Sequence, residues 1–122
     1  MTHSIICDRA FTFAVRVLKL CDELFERGPV PRFLASQLMR SGTSIGANAE
    51  EAQEGQTKAD YIAKMSIASK EARETSWWLR LSTAAGVLRK EHVVWESSEA
   101  LQLRMMIRAA IRTARSSPNR GR

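Results

Sequence analysis

The chain has 122 residues, enough for one domain with its own core, and a hydrophobic share of 44% excludes disorder throughout. No apolar run approaches the roughly 20 residues needed to cross a bilayer. The net charge of +6 is uneven: residues 1–103 hold 13 Lys plus Arg against 13 Asp plus Glu, whereas residues 104–122 hold six arginines and no acid, so the whole excess lies at one end.

The N-terminal stretch MTHSIICDRAF has no basic region followed by an apolar segment and a small-residue cleavage site. No signal peptide is expected, and the protein is placed in the cytoplasm. Downstream, RGPVP at 27–31, EGQT at 54–57 and AAGVLRK at 84–90 break the chain into four segments. Each segment repeats its apolar residues every three or four positions, and none alternates as a strand would.

The first helix is expected over roughly 6–27, with Ile6, Ala10, Phe13, Val17, Leu20, Cys21 and Leu24 inward. Cys7 and Cys21 on one such helix stand roughly 21 Å apart, too far to form a disulfide with each other. The second helix is expected over roughly 31–54, with Pro31 in its first turn, where a missing N–H costs nothing. Its stripe is Leu34, Leu38, Ile45, Ala49 and Ala52.

The middle of that helix reads RSGTSIGANAEEAQEG. A phosphate-binding loop would need four residues between its glycines, a following Lys and a preceding strand. Gly42 and Gly46 are instead separated by three residues on a helical segment. With Ala49 they occupy one side of the helix and predict close approach of another helix, at about 1 kcal/mol of helix propensity per glycine.

The third helix, roughly 58–84, opens on Thr57 and Asp60 in capping-box spacing. Its inner face is Ile62, Met65, Ala68, Ala72, Thr75 and Leu79. Glu71 shares a side with Ile67 and Trp78, where a carboxylate needs partners. A cross-helix hydrogen bond from Ser44 or Asn48 is one expectation, a solvated edge position the other. Trp77 and Trp78 point about 100° apart, so one faces the core. The other lies over its own helix near Arg73, in a groove, or against another subunit.

The fourth helix, roughly 91–115, has no clear start signal and carries Leu103, Ile107, Ala110, Ile111 and Ala114 inward. Four amphipathic helices with short connections predict an all-α, antiparallel up-and-down four-helix bundle over 1–115, with a flexible basic tail at 116–122.

Enzymatic chemistry finds little support. A di-iron bundle wants Glu-x-x-His on two helices, but Glu71 and Glu74 have no such histidine, and His3 and His92 fall in no metal-ligand spacing. No nucleophile–histidine constellation is available either. The expectation is a non-enzyme with no metal, cofactor, small-molecule substrate or membrane partner.

Arg104, Arg108, Arg112 and Arg115 lie at offsets of four, four and three on one face of the fourth helix, and Arg120 and Arg122 extend the charge. Arginine's planar fork suits phosphate. One reading is a sequence-nonspecific RNA or DNA backbone footprint. The other is a structural face complementing the helix C-terminus or pairing with acids such as Glu96 and Glu99 of a neighbour. The absence of aromatic residues nearby in sequence argues against single-strand base binding.

The run from Leu34 to Leu81 resembles the bacterial four-helix-bundle proteins related to those encoded in 23S rRNA intervening sequences. In that pattern a basic residue and S-I-x-x-N are followed by acids, then an aromatic and I-A-x-x-E-x-x-E. The matching residues are Arg40, Ser44, Ile45, Asn48, Glu51, Tyr61, Ile67, Ala68, Glu71 and Glu74. One departure is Ala52 after Glu50 and Glu51, where other members often read Ala-Glu-Gly. The resemblance implies a four-helix bundle, a homopentameric ring as in related proteins, and no established catalytic activity. It also implies a distant relationship to the accessory protein of diversity-generating retroelements, a basic pentamer that works with a reverse transcriptase and RNA. Residues and resemblance together favour a non-enzymatic oligomer that binds nucleic acid or a nucleoprotein partner through its last helix. The alternative is a purely structural oligomer or protein-binding adaptor.

Overall fold

A computed structural model of the protein describes residues 4–118. Four α-helices follow one another: α1 (Ile5–Phe25), α2 (Pro29–Gln53), α3 (Lys58–Ala84) and α4 (Val94–Ser116), with a short 3₁₀ turn at Lys90–His92. No strand occurs among the described residues. Consecutive helices pack along their lengths, and α1 also meets α4, which gives the antiparallel up-and-down bundle expected from the short connections. Helix α4 runs one residue beyond the expected domain end at 115. Residues 119–122 of the expected tail, with Arg120 and Arg122, lie outside the described residues, as does His3.

Local signals account for most helix ends. Ser4 caps α1 by accepting a hydrogen bond from the Cys7 N–H at 3.1 Å. Thr57 and Asp60 form the expected capping box at the start of α3, each side chain accepting from the other residue's backbone N–H. Helix α2 begins at Pro29 rather than Pro31. Both prolines fit in a first turn whose N–H groups have no intrahelical partner, and Gly28, with φ +126°, makes the reversal from α1.

Helix α4 begins three residues later than expected, at Val94, because residues 85–93 do other work. The N–H groups of Ala85 and Gly86 close the end of α3 on the Leu81 and Thr83 carbonyls, and those of Val87 and Leu88 both reach Ser82 O. The chain then buries Leu88 and Val93 across the end of the bundle. Val93 supplies no side-chain cap to α4, so the helix start carries no local sequence signal.

The core matches the stripes. Phe13, Val17, Leu24, Leu38, Ile45, Met65, Leu79, Leu103 and Ile107 are almost wholly buried. The α2 glycines serve the contact with α1. A β-carbon on Gly42 would lie 3.0 Å from a Val17 methyl, and one on Gly46 would lie 3.3 Å from the Ala10 β-carbon. Cys7 and Cys21 are free and buried in the same core, and burial pushes the Cys21 thiol up to about 12.

The α1–α4 contact is slighter and more polar. Arg9 donates to both Glu99 oxygens, at 2.8 and 2.7 Å, and to Gln102 Oε1 at 2.8 Å. Arg16 approaches Glu96 at 3.5 Å and lies over the Trp95 ring, 4.4 Å from its centroid. Glu96 and Glu99 are buried, so these bidentate and cation–π contacts close the fourth side of the bundle.

Candidate nucleic-acid interface

The arginine stripe sits where its spacing placed it. Leu103, Ile107 and Ile111 enter the core, Arg104 is half-buried, and Arg108, Arg112 and Arg115 are exposed. Glu96 and Glu99 are engaged by Arg16 and Arg9 of the same chain and so are not open to pair with the stripe of a neighbour. Among the described residues none of the four stripe arginines has an ion-pair partner.

The stripe faces α3, and the α3 surface it meets has a pattern of its own that spacing within α4 could not reveal. Ser66, Ser69, Arg73, Ser76 and Arg80 recur at offsets of three, four, three and four. They form one helical face beside α4. Two clefts run along this edge. The first, of about 680 Å³, is lined by Lys70, Arg73, Glu74, Ser76, Trp77 and Arg80 of α3 and by Ser97, Leu101 and Arg104 of α4. The second, of about 360 Å³, lies between Ser66 and Ser69 of α3 and Arg108, Arg112 and Arg115 of α4. Seven cations therefore converge on one edge: Lys70, Arg73, Arg80 and the four stripe arginines.

Trp77 also overturns an expectation. Sequence proximity suggested that no aromatic residue accompanies the arginines, yet Trp77 is 47% exposed and lines the same cleft as Arg104. Residues far apart in the chain meet there because α3 and α4 are antiparallel neighbours. Of the two tryptophans, Trp78 is the one that packs on the core. The two rings meet edge-to-face, with centroids 4.9 Å apart and planes at 80°. Trp78 in turn meets Phe33 of α2 edge-to-face at 5.9 Å.

Two of the residues that carry the family resemblance, Arg40 and Glu74, pair with each other, and Glu74 meets Trp78. Trp78 donates its indole N–H to Glu74 Oε2 at 3.0 Å, and Arg40 of α2 donates to the same oxygen. The Trp78 hydrogen bond, aided by Arg40, holds the Glu74 carboxyl below its ordinary range. Glu74, the one acid lining the first cleft, is thereby engaged by Trp78 and Arg40. Glu51 pairs separately with Lys64 at 2.8 Å.

Glu71 does not receive the hydrogen bond expected from Ser44 or Asn48. Both polar side chains bond back into their own helix, Ser44 donating to Arg40 O at 2.7 Å and Asn48 to Ser44 O at 2.9 Å. Glu71 is half-buried and its nearest cation is Arg40, at 3.6 Å. Its Oε1 has no hydrogen-bond partner among the described residues, and burial, then repulsion from Glu74, pushes its carboxyl upward. The buried polar contact between α2 and α3 is made elsewhere, by Thr75 Oγ1 and Ser41 Oγ at 2.8 Å.

Among the described residues no three His, Cys, Asp or Glu side chains converge as a metal site would require, and no helix is long and apolar enough to cross a membrane. What the edge can do is hold anions: arginine forks and serine hydroxyls both donate to phosphate oxygens.

The architecture is thus that of a small four-helix bundle with one strongly basic edge. A family model described as 23S rRNA-intervening sequence protein matches residues 2–109, and the chain belongs to that family. Among solved structures, it is similar to a protein of unknown function from the S23 ribosomal protein family of Bacteroides thetaiotaomicron. The two share 34% sequence identity with a TM-score of 0.81, over 88% of this chain and 98% of the other. No curated protein matches.

Proposed function

We propose that this protein is a cytoplasmic, non-enzymatic, oligomeric bundle that binds nucleic acid through the α3–α4 edge. The observation that carries this reading is the convergence of four arginines from α4 with Lys70, Arg73 and Arg80 from α3 along two adjoining clefts. Like charges gathered on one edge repel one another and cost stability, a cost that a polyanion relieves by replacing condensed counterions with arginine contacts. Binding of this kind is to the backbone, sequence-tolerant and salt-sensitive.

The test is binding of labelled RNA and duplex DNA at two salt concentrations, with wild type and with Arg104, Arg108, Arg112 and Arg115 changed to Gln. The reading expects wild-type affinity to fall steeply with salt and the quadruple variant to bind roughly a hundredfold or more weakly at low salt. Equal binding by the two proteins rejects the edge as the site.

A second reading, a purely structural oligomer or protein-binding adaptor, draws on the opposite edge, where Phe11, Val15 and Leu18 of α1 are exposed. Surfaces of that kind often bury against a second subunit. On this reading a change of Phe11, Val15 and Leu18 to Ser lowers oligomer mass in light scattering, and the arginine change leaves nucleic-acid binding unaffected.

A further inference from the structure

We propose that the ligand of the α3–α4 edge is a single strand, with one unpaired base stacked on Trp77 and its flanking phosphates on the arginines. This rests on the nucleic-acid reading above and narrows it to a substrate class.

Three observations carry it. Trp77 is a large aromatic left 47% exposed inside a cleft whose rim is cationic. A purely electrostatic backbone site gains nothing from an indole there. Second, the ring is held in place from behind. The edge-to-face contact means that Trp78 occupies at most one face of Trp77, because in such a pair only one of the two rings has a face occupied by its partner. Trp78 is itself fixed by its hydrogen bond to Glu74 and by Phe33, so the platform is prepared before a ligand arrives.

Third, the cleft has suitable size and continuation. Its volume of about 680 Å³ lies within the range of sites that enclose small organic groups. The second cleft lies further along the same pair of helices, lined by Arg108, Arg112 and Arg115, and Arg104 to Arg115 spans roughly 16 Å along the helix at about 1.5 Å per residue. That length exceeds what one free nucleotide would use and suits a strand running along the edge.

Geometry separates the strand from the duplex. In a double helix both faces of every interior base are covered by neighbours, so an indole in a cleft finds no face to stack on. In a single strand every base has an available face, whatever its identity. Leu101, 51% exposed and lining the same cleft, adds apolar area against which a base is more favourable than water.

The decisive experiment uses four labelled probes of equal length at one salt concentration: single-stranded RNA, single-stranded DNA, duplex DNA and an abasic single strand that retains its phosphates. Wild type should bind both base-bearing single strands about tenfold or more tightly than the abasic strand, the range that stacking of one base gives. Trp77→Ala should lose about that factor on the base-bearing strands and nothing on duplex or abasic strand, and Trp77→Phe should restore most of it. A difference between the RNA and DNA arms would assign the sugar preference. Trp77→Ala binding all four probes as wild type does, or losing equally on all four, would overturn the inference while leaving the backbone reading intact. A changed oligomer mass in Trp77→Ala would also overturn it, placing the ring in a subunit contact. Full binding by the Arg104, Arg108, Arg112 and Arg115 to Gln variant would remove the backbone reading itself.

Discussion

The two outer edges of this bundle, α1–α2 and α3–α4, are built from opposite materials. At the first, Gly42 and Gly46 remove side chains so that α1 comes within van der Waals contact through Val17 and Ala10, and the surface outside is apolar, with Phe11, Val15 and Leu18. At the second, serines and arginines line the contact and two clefts remain between the helices. The same topology places these edges on opposite sides, since each helix packs on its neighbours in the order of the chain and α1 closes on α4. One edge is specified by packing, and substitutions there should act on stability. The other is specified by charge, and substitutions there should act on binding.

That division can be broken by experiment. The largest effect is expected from Gly46→Leu, which drives a side chain into the Ala10 backbone and should cost about 3 kcal/mol by overpacking. Chemical denaturation would measure it, and nucleic-acid affinity below the transition should be unchanged. Next comes Arg9→Ala at the α1–α4 contact, which leaves buried Glu99 without its bidentate partner. A fully buried pair would lose more, but 34% of the Arg9 side chain is open to water, so roughly 2 kcal/mol is expected. Ser41→Ala removes one half of the buried Ser41–Thr75 hydrogen bond between α2 and α3 and should cost about 1 kcal/mol.

The smallest effects should separate by sign. The Glu74 carboxyl is held low, so its charged form stabilises the fold above the ordinary carboxylate range. That contribution fades as pH falls through the depressed value. The Glu71 carboxyl is pushed up, so its charged form opposes folding at neutral pH, and the penalty is relieved as pH falls through the raised value. Melting temperatures against pH should therefore show Glu74→Gln below wild type at neutral pH and Glu71→Gln level with or above it, both differences shrinking under acid. Loss of stability in Glu71→Gln at neutral pH would show that its ion pair with Arg40 outweighs its burial.

Most of the fold was legible because it depends on local periodicity. The stripes from Ala10 to Leu24, Leu34 to Ala52 and Met65 to Leu79 are the buried faces observed, and the Thr57–Asp60 cap needs only four consecutive residues to read. The loop before α4 was not legible, because burial of Leu88 and Val93 is a tertiary event with no capping residue to announce it. Half of the candidate site was legible as the arginine stripe. The other half required knowing which α3 face meets α4, although Ser66, Ser69, Arg73, Ser76 and Arg80 are regular once that is known. Glu71 shows a different failure. Ser44 and Asn48 each had an acceptor one turn back in their own helix, nearer than any carboxylate across the interface, and the local bond prevailed.

The central claim is that cations act through their placement on the α3–α4 edge and not through net charge. It is tested by the salt dependence of single-strand binding in two variants of equal charge. One changes Arg104, Arg108, Arg112 and Arg115 to Gln. The other changes Lys19, Arg32, Arg89 and Lys90, exposed cations that line neither cleft, to Gln. Each phosphate that a cation neutralises on a single strand adds about 0.7 to the slope of log affinity against log salt. The slope should therefore fall by roughly 3 in the first variant and stay close to wild type in the second. Equal decreases of slope in both would contradict the account.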